Sequence, residues 1–308
     1  MNRCPITFEK CGTKKYSTKG LRLLSRNLQN LNDFPYSSEN QRNLAQDYCD
    51  KLSIQGVQLK LSVRLNAAKG VFEPIACGGI YILKPQHAIY SNLPENEDIT
   101  MRLADTVGIE VPLHGMIYCI DESFSYFIKR FDRHGHGKKR AVEDFAQLTG
   151  SDRHTKYKSS IEKVVGVVNK FCSFPKIELE KVFRRILFSF FIGNEDMHLK
   201  NFSLICQDAA VKNAPAYDLL NTTIVLKSKE EMALPLHGKK RNLTRNDFID
   251  YLGQEVMKLN IVVIHDIIDV FEHVFQKWED MISQSFMPIA MQKDYINLVN
   301  KRKKQFFD

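Results

Sequence analysis

The chain has 308 residues, a length that suits two modest domains or one large bilobal unit. Its 44% hydrophobic and 26% charged residues are those of a globular protein with a sizeable core, which excludes a disordered or low-complexity chain. The formal net charge of +8 favours anionic partners, but the excess is scattered in small clusters at 138–140, 239–241 and 301–304, a solvated surface and not the footprint of a direct nucleic-acid binder.

The first 50 residues are polar, rich in Asn, Ser and Lys, with one helical stretch expected over 21–31. They read as an N-terminal arm or cap. Their opening, MNRCPITFEKCGTKK, lacks the apolar run of a signal peptide, and no 18-residue apolar stretch occurs in the chain, so no membrane contact is expected. The seven cysteines are odd in number, form no Cys-x-x-Cys, and five of them fall in apolar or periodic stretches. That usage fits a reducing, cytoplasmic setting. Cys4 and Cys11 have no second pair nearby to complete a metal knuckle.

A β-rich segment is expected over 51–130. Residues 57–65, VQLKLSVRL, alternate without a break, the period of a half-buried strand. GGIYILK at 78–84 reads as a second strand, ended by Pro85. A helix is expected over 95–107, with Pro94 near its start and Gly108 after its end. HGMIYCI and SYFIKRF then form a hairpin through Asp121, Glu122 and Ser123. From 131 to 308 the pattern turns helical: 143–149, 160–171, 178–191 and three helices after Thr244. One β-like interruption is expected, FSLIC at 202–206 with PAYD at 215–218.

Three constellations carry chemistry. The loop Ser53, Ile54, Gln55, Gly56 and Val57 opens the first strand, and a glycine there lets backbone N–H groups approach phosphates. Lys84 ends the second strand, and Glu97 on the following helix could hold it in an ion pair, with Glu95 as a rival partner. The third is GNEDMHLKN at 193–201, followed by Asp218 in Ala-Tyr-Asp. Phosphoryl transfer needs a carboxylate to orient the attacking hydroxyl, oxygen ligands for Mg²⁺ and positive charge at the γ-phosphate. Asp196 and Asn201 have the Asp-x4-Asn spacing of kinase catalytic loops, Asp218 supplies a second acid, and His198 and Lys200 add donors. The polar cluster follows a very apolar helix and precedes an apolar strand, where unpaired polar groups are costly. The order of parts is that of an α+β, bilobal protein-kinase-like fold, with a small β-rich N-lobe and a larger helical C-lobe.

With these motifs the chain resembles the HipA family of Ser/Thr kinases, toxins of toxin–antitoxin systems. The resemblance rests on SIQGVQLKL at 53–61, YILKP at 81–85, PENE at 94–97, FIKRFDR at 127–133, EDFAQL at 143–148, GNEDMHLKNFS at 193–203 and APAYDLL at 214–220. It implies ATP and Mg²⁺ as cofactors. Asp196 would be the catalytic base or orienter, and Asn201 and Asp218 would hold the metal. Lys84 would contact the ATP phosphates, the backbone near Lys129 and Phe131 would bind adenine, and His198 would lie near the γ-phosphate. Ser53 aligns with the serine that family members autophosphorylate, and a phosphate there would add negative charge to the loop that cradles ATP.

Only residues 1–50 precede that loop, where larger members carry a further subdomain. The resemblance is therefore closer to HipT, the short kinase of three-component systems. That implies a small protein supplying the missing subdomain, a DNA-binding antitoxin, and an aminoacyl-tRNA synthetase, the tryptophanyl enzyme for HipT, as substrate. Two other readings stay open. A small-molecule kinase of the aminoglycoside or choline type also uses Asp-x4-Asn and a later Asp, although the Ser53 loop and FIKRFDR favour a protein kinase. A non-catalytic nucleotide-binding module is the other, and the complete Asp196, Asn201 and Asp218 set argues against it.

Overall fold

The computed structural model describes residues 2–48, 58–134, 138–151, 155 and 157–308. The chain divides into two compact units. One comprises Met1–Ile99, Pro112–Lys138 and Gln284–Met287; the other comprises Thr100–Val111, Lys139–Ser283 and Pro288–Asp308.

The first unit is built on a five-stranded antiparallel sheet in the order Val71–Pro74, Leu61–Asn66, Tyr81–Lys84, Phe124–Lys129, His114–Tyr118. The expected alternation holds where the strand forms: Leu61 and Val63 are buried and Arg64 is exposed. Leu83 lies opposite both Leu61 and Phe127, and Tyr81 opposite both Val63 and Lys129. Two boundaries differ from the sequence reading. The first strand begins at Leu61, and the second begins at Tyr81. Gly79 is pressed onto the neighbouring strand, where a Cβ would stand 2.2 Å from Ser62 Oγ, and its N–H donates to that hydroxyl instead of to a ladder. The hairpin turn expected at residues 121–123 forms, with Glu122 at φ 61°.

Residues 2–48 are part of this unit's core. The expected 21–31 helix is a shorter one, Thr18–Leu24, capped by Ser17, whose hydroxyl accepts from the Gly20 N–H. Beyond it Leu28 and Leu31 still turn inward. Together with Cys4, Ile6, Tyr16 and Phe34 they join Leu61, Phe72, Tyr81 and Phe127 in one apolar cluster. The helix Ser38–Tyr48 adds buried Gln41, whose Oε1 accepts from Ser125 Oγ at 2.8 Å.

The second unit is mostly helical, with Ile161–Phe171, Pro175–Ile192, Ile261–Ser283 and Ile289–Phe307 as its long helices. The C-terminal half of Pro175–Ile192 is apolar almost all round and runs through the core, and the helix buries Phe183, Phe188, Phe190 and Phe191. Phe271, Phe275, Trp278 and Phe306 pack on them. Two expectations are corrected here. Residues 143–149 are not one helix: Val142–Asp144 is a strand, and Asp144 then caps the short helix Phe145–Leu148 in a capping box with Gln147. PAYD at 215–218 is not a strand either. The partner of Ser203–Gln207 is Ala210–Asn213, and Pro215 has no N–H to continue the ladder.

Among the described residues every cysteine is free, with Cys4, Cys119 and Cys172 buried and Cys77 and Cys206 exposed. No helix among them is long and apolar enough to cross a membrane.

Candidate active site

In the first unit the sheet and the Leu93–Thr106 helix bring Lys84 and Glu97 together. Lys84 Nζ donates to Glu97 Oε1 at 2.6 Å, and the two residues are only 5% and 0% exposed. The ammonium lies 5.6 Å from the centre of the Tyr126 ring. The rival acid is occupied elsewhere. Glu95 accepts two bonds from Gln86 Nε2 at 3.0 Å and one from Asn92, and burial pushes its carboxyl above the ordinary range. A second buried pair, Asp98 with His114 Nδ1 at 3.0 Å, sits beside the first, and the His114 ring packs 5.8 Å from Tyr126.

The FIKRFDR segment leaves the sheet at Lys129. The Lys129 N–H donates to Leu113 O at 2.8 Å and the Arg130 N–H to Ile80 O at 2.9 Å. Both amides are thus committed to the sheet, so a backbone donor for a ligand on this segment has to lie beyond Arg130, in the turn with Phe131. That turn is fixed by a bidentate Arg130–Asp132 pair at 2.9 and 2.7 Å. Ser53, Ile54, Gln55, Gly56 and Val57 lie outside the described residues.

In the second unit the buried Pro175–Ile192 helix ends at Gly193, φ 71°, where a Cβ would come within 2.4 Å of Leu298 and 2.7 Å of Thr223 Oγ1. Only glycine fits that left-handed cap. The loop that follows is held from several sides. Asn194 Oδ1 accepts from the Asp196 N–H at 3.1 Å, and the Glu195 N–H donates to Thr222 Oγ1 at 2.7 Å. The Asp196 carbonyl accepts from the His198 N–H at 2.8 Å and from Asn201 Nδ2 at 2.9 Å. The Asp196 carboxylate points outward, 40% exposed, with His198 Nε2 3.7 Å from its Oδ1.

With Nδ2 turned to Asp196, Asn201 presents its carbonyl oxygen on the other side. Asp218 follows in the left-handed region at φ 54°, strained for a residue with a Cβ. Tyr217 anchors it to the end of the Gly193–Asn201 loop: its hydroxyl donates to Lys200 O at 2.8 Å and shares a 2.5 Å bond with Ser203 Oγ. Burial pushes the Tyr217 phenol up, so it stays protonated. Fully buried Arg185, its guanidinium pushed down to about 10 by burial, donates to Ala214 O at 2.9 Å and fixes the start of the same segment. A carboxylate and an amide oxygen are hard donors that suit Mg²⁺, which takes its remaining ligands from phosphate oxygens and water. Among the described residues no group of three or more His, Cys, Asp or Glu side chains is arranged to hold a metal ion.

One member of this site has no counterpart in the sequence reading. Tyr157 donates its phenol hydrogen to Asp196 Oδ1, and its ring meets the His198 imidazole edge-on at 4.9 Å. The only hint is an aromatic residue in an otherwise polar stretch, TGSDRHTKYKSS, and it lies far from the catalytic motif in sequence.

Known proteins resemble this chain along most of its length. A candidate kinase of Haemophilus influenzae is 29% identical over 94% of this chain and 92% of its own length. The serine/threonine-protein kinase toxin HipA of Shewanella oneidensis is 25% identical over 60% of this chain, which spans 47% of that protein. The Shewanella oneidensis HipA solved with HipB and its operator DNA superposes with a TM-score of 0.70 at 21% identity, covering 91% of this chain and 73% of that one. The fold is therefore the α+β fold of HipA. The sequence profile of the HipA-like C-terminal domain matches residues 52–279, well over half of the chain, and the chain belongs to that family.

Proposed function

We propose that the protein is an ATP- and Mg²⁺-dependent Ser/Thr protein kinase. The observation that carries this reading is the loop from Gly193 to Asn201. Its backbone is fixed on both sides of Asp196, the carboxylate is left facing outward, and Asn201 Nδ2 is taken by the Asp196 carbonyl, which leaves the amide oxygen for a ligand. Asp196 accepts the proton of the attacking hydroxyl and orients it. Asn201 and Asp218 hold Mg²⁺, which when bound neutralises the phosphate charge. Lys84, kept in place by Glu97, grips the nucleotide phosphates, and His198 and Lys200 supply donors to the transferred group. The segment with Gly56 is assigned the phosphates by its sequence motif, and the backbone around Phe131 takes the adenine.

We infer further that the protein is the toxin of a toxin–antitoxin pair with a DNA-binding antitoxin; what supports this is the likeness to the Shewanella HipA, which was solved with HipB and operator DNA. The motif resemblance supports, as part of the same proposal, a small partner protein, an aminoacyl-tRNA synthetase as substrate, and autophosphorylation of Ser53 in the cytoplasm.

The test is incubation of the purified chain with Mg²⁺ and labelled ATP, followed by mapping of phosphate by mass spectrometry, with Asp196→Asn in parallel. Phosphate on Ser53 in the wild type and none in the variant is the expected result. Equal labelling of both proteins would remove Asp196 from the role given to it.

A further inference from the structure

Asp196 does not need Tyr157 to hold its place. Its N–H is taken by Asn194 Oδ1, and its carbonyl accepts from both the His198 N–H and Asn201 Nδ2. Yet the phenol of Tyr157 donates to Oδ1, the oxygen that also faces His198 Nε2 at 3.7 Å. The Tyr157 ring stands edge-on to the His198 imidazole, and His198 is buried while Tyr157 is 42% exposed. The phenol therefore reaches in from the solvent side onto a carboxylate that the loop has already fixed.

An O–H that donates to this carboxylate is the contact a phosphate acceptor makes. We propose that Tyr157 occupies the acceptor-hydroxyl position on Asp196 and selects the acceptor: a hydroxyl must displace the phenol before it can be phosphorylated. This inference rests on the kinase reading above and deepens it. Burial, together with the charge of Asp196, pushes the Tyr157 phenol up, so it remains an O–H donor throughout the physiological range.

Displacement separates acceptors by size. A serine or threonine on a docked protein brings binding energy from contacts remote from the hydroxyl, and that energy can be used to move the phenol. Water and a small free alcohol bring none. Tyr157 thus suppresses hydrolysis of ATP and transfer to small alcohols, and leaves transfer to a macromolecule as the favoured reaction. A phenylalanine at 157 keeps the ring against His198 and removes only the competing hydroxyl.

The experiment measures ADP release by the full chain with MgATP, first with no acceptor and then with N-acetylserinamide. Wild type, Tyr157→Phe, Asp196→Asn and the double variant are compared. A fluorescent ATP analogue reports nucleotide binding, and thermal melting reports folding. Tyr157→Phe should release ADP faster without acceptor, on the order of tenfold, the factor for one charge-assisted hydrogen bond no longer to be broken. Its KM for N-acetylserinamide should fall, while its affinity for the analogue and its melting temperature stay those of the wild type. Asp196→Asn should abolish the gain.

A Tyr157→Phe protein that binds the analogue normally but releases ADP at the wild-type rate, or at no measurable rate, overturns the proposal. So does a lower kcat with unchanged KM, the mark of a residue that only positions Asp196. Loss of folding in Tyr157→Phe, which keeps the ring, would show that the hydroxyl holds the loop together, and would overturn the proposal. If the wild type itself fails to bind the analogue, the kinase reading falls, and this inference with it, by a readout separate from ADP release.

Discussion

Lys84 and Glu97 meet at 2.6 Å with 5% and 0% of their surfaces exposed, an ion pair taken out of water. A buried pair of this kind adds little to stability compared with two apolar residues, but removing one partner leaves the other charge stranded. Lys84→Met should therefore cost about 3–5 kcal/mol in chemical denaturation, because Glu97 loses its counter-charge. Lys84→Met combined with Glu97→Leu should recover most of that loss, since both charges are gone. Nucleotide binding, followed by calorimetry, should be lost in both proteins. Recovery of stability without recovery of binding identifies the lysine as a ligand group; binding that returned in the double variant would show that Lys84 serves only the fold. The sequence narrowed Lys84's partner to two acids. What decided between them is invisible to spacing: Gln86 and Asn92 satisfy Glu95 locally, and only Glu97 is turned to the strand.

At the scale of elements, the turn into the Asp247–Val256 helix is organised by one carboxylate. Asp247 accepts from the Thr244 N–H at 2.9 Å, from Thr244 Oγ1 at 2.8 Å and from Lys239 Nζ at 2.9 Å, with His237 Nδ1 at 3.2 Å. Burial works against the charge, but these donors outweigh it and hold the carboxyl at about 2, against 3.8 when unperturbed. The folded state therefore binds its proton less readily than the unfolded state. The stabilisation is complete above about pH 4 and is lost as pH falls towards 2. Asp247→Asn should be less stable than wild type at pH 6, and the difference in melting temperature should shrink between pH 4 and pH 2. A difference that stayed constant over that range would place the effect in packing and not in charge.

Where residue patterns repeat over a whole element, the sequence specified it. The helices expected over 160–171 and 178–191 form as Ile161–Phe171 and Pro175–Ile192, and their ends have local causes in the structure: a cap at Ser160 and a left-handed glycine at Gly193. The strand Val142–Asp144 was not readable. It is three residues long and exists because Ser203–Gln207 pairs with it. A sequence window around it contains only the helix that follows. Tyr157 was missed for a related reason: its partner Asp196 is 39 residues away, and no periodicity links a loop tyrosine to that aspartate.

At the scale of the whole molecule, residues 2–48 show how composition can mislead. The segment is rich in Asn, Ser and Lys, but Cys4, Ile6, Tyr16, Leu21, Leu24, Leu28, Leu31 and Phe34 are all buried, and Leu28 and Leu31 each lie between two exposed polar residues. An arm that supplies this much of a core cannot be removed without exposing it. The groups assigned to the nucleotide are also spread along the chain, from Lys84 to Asp218, and this gives a test of the assignment that needs no protein substrate. A ligand bound only by the folded state raises stability by about 2.7 kcal/mol at a hundredfold excess over its Kd. ATP with Mg²⁺ should accordingly raise the melting temperature by several degrees, and ATP with a chelator by much less. Asp196→Asn, which changes the group facing the acceptor, should keep the full shift. Asp218→Asn should lose the difference between metal and chelator, because it removes the only carboxylate assigned to the ion. Lys84→Met should lose the shift under both conditions. If instead Asp196→Asn lost the metal-dependent part and Asp218→Asn kept it, the two acids would have to exchange roles: the strained, anchored Asp218 would face the acceptor, and the exposed Asp196 would hold the cation.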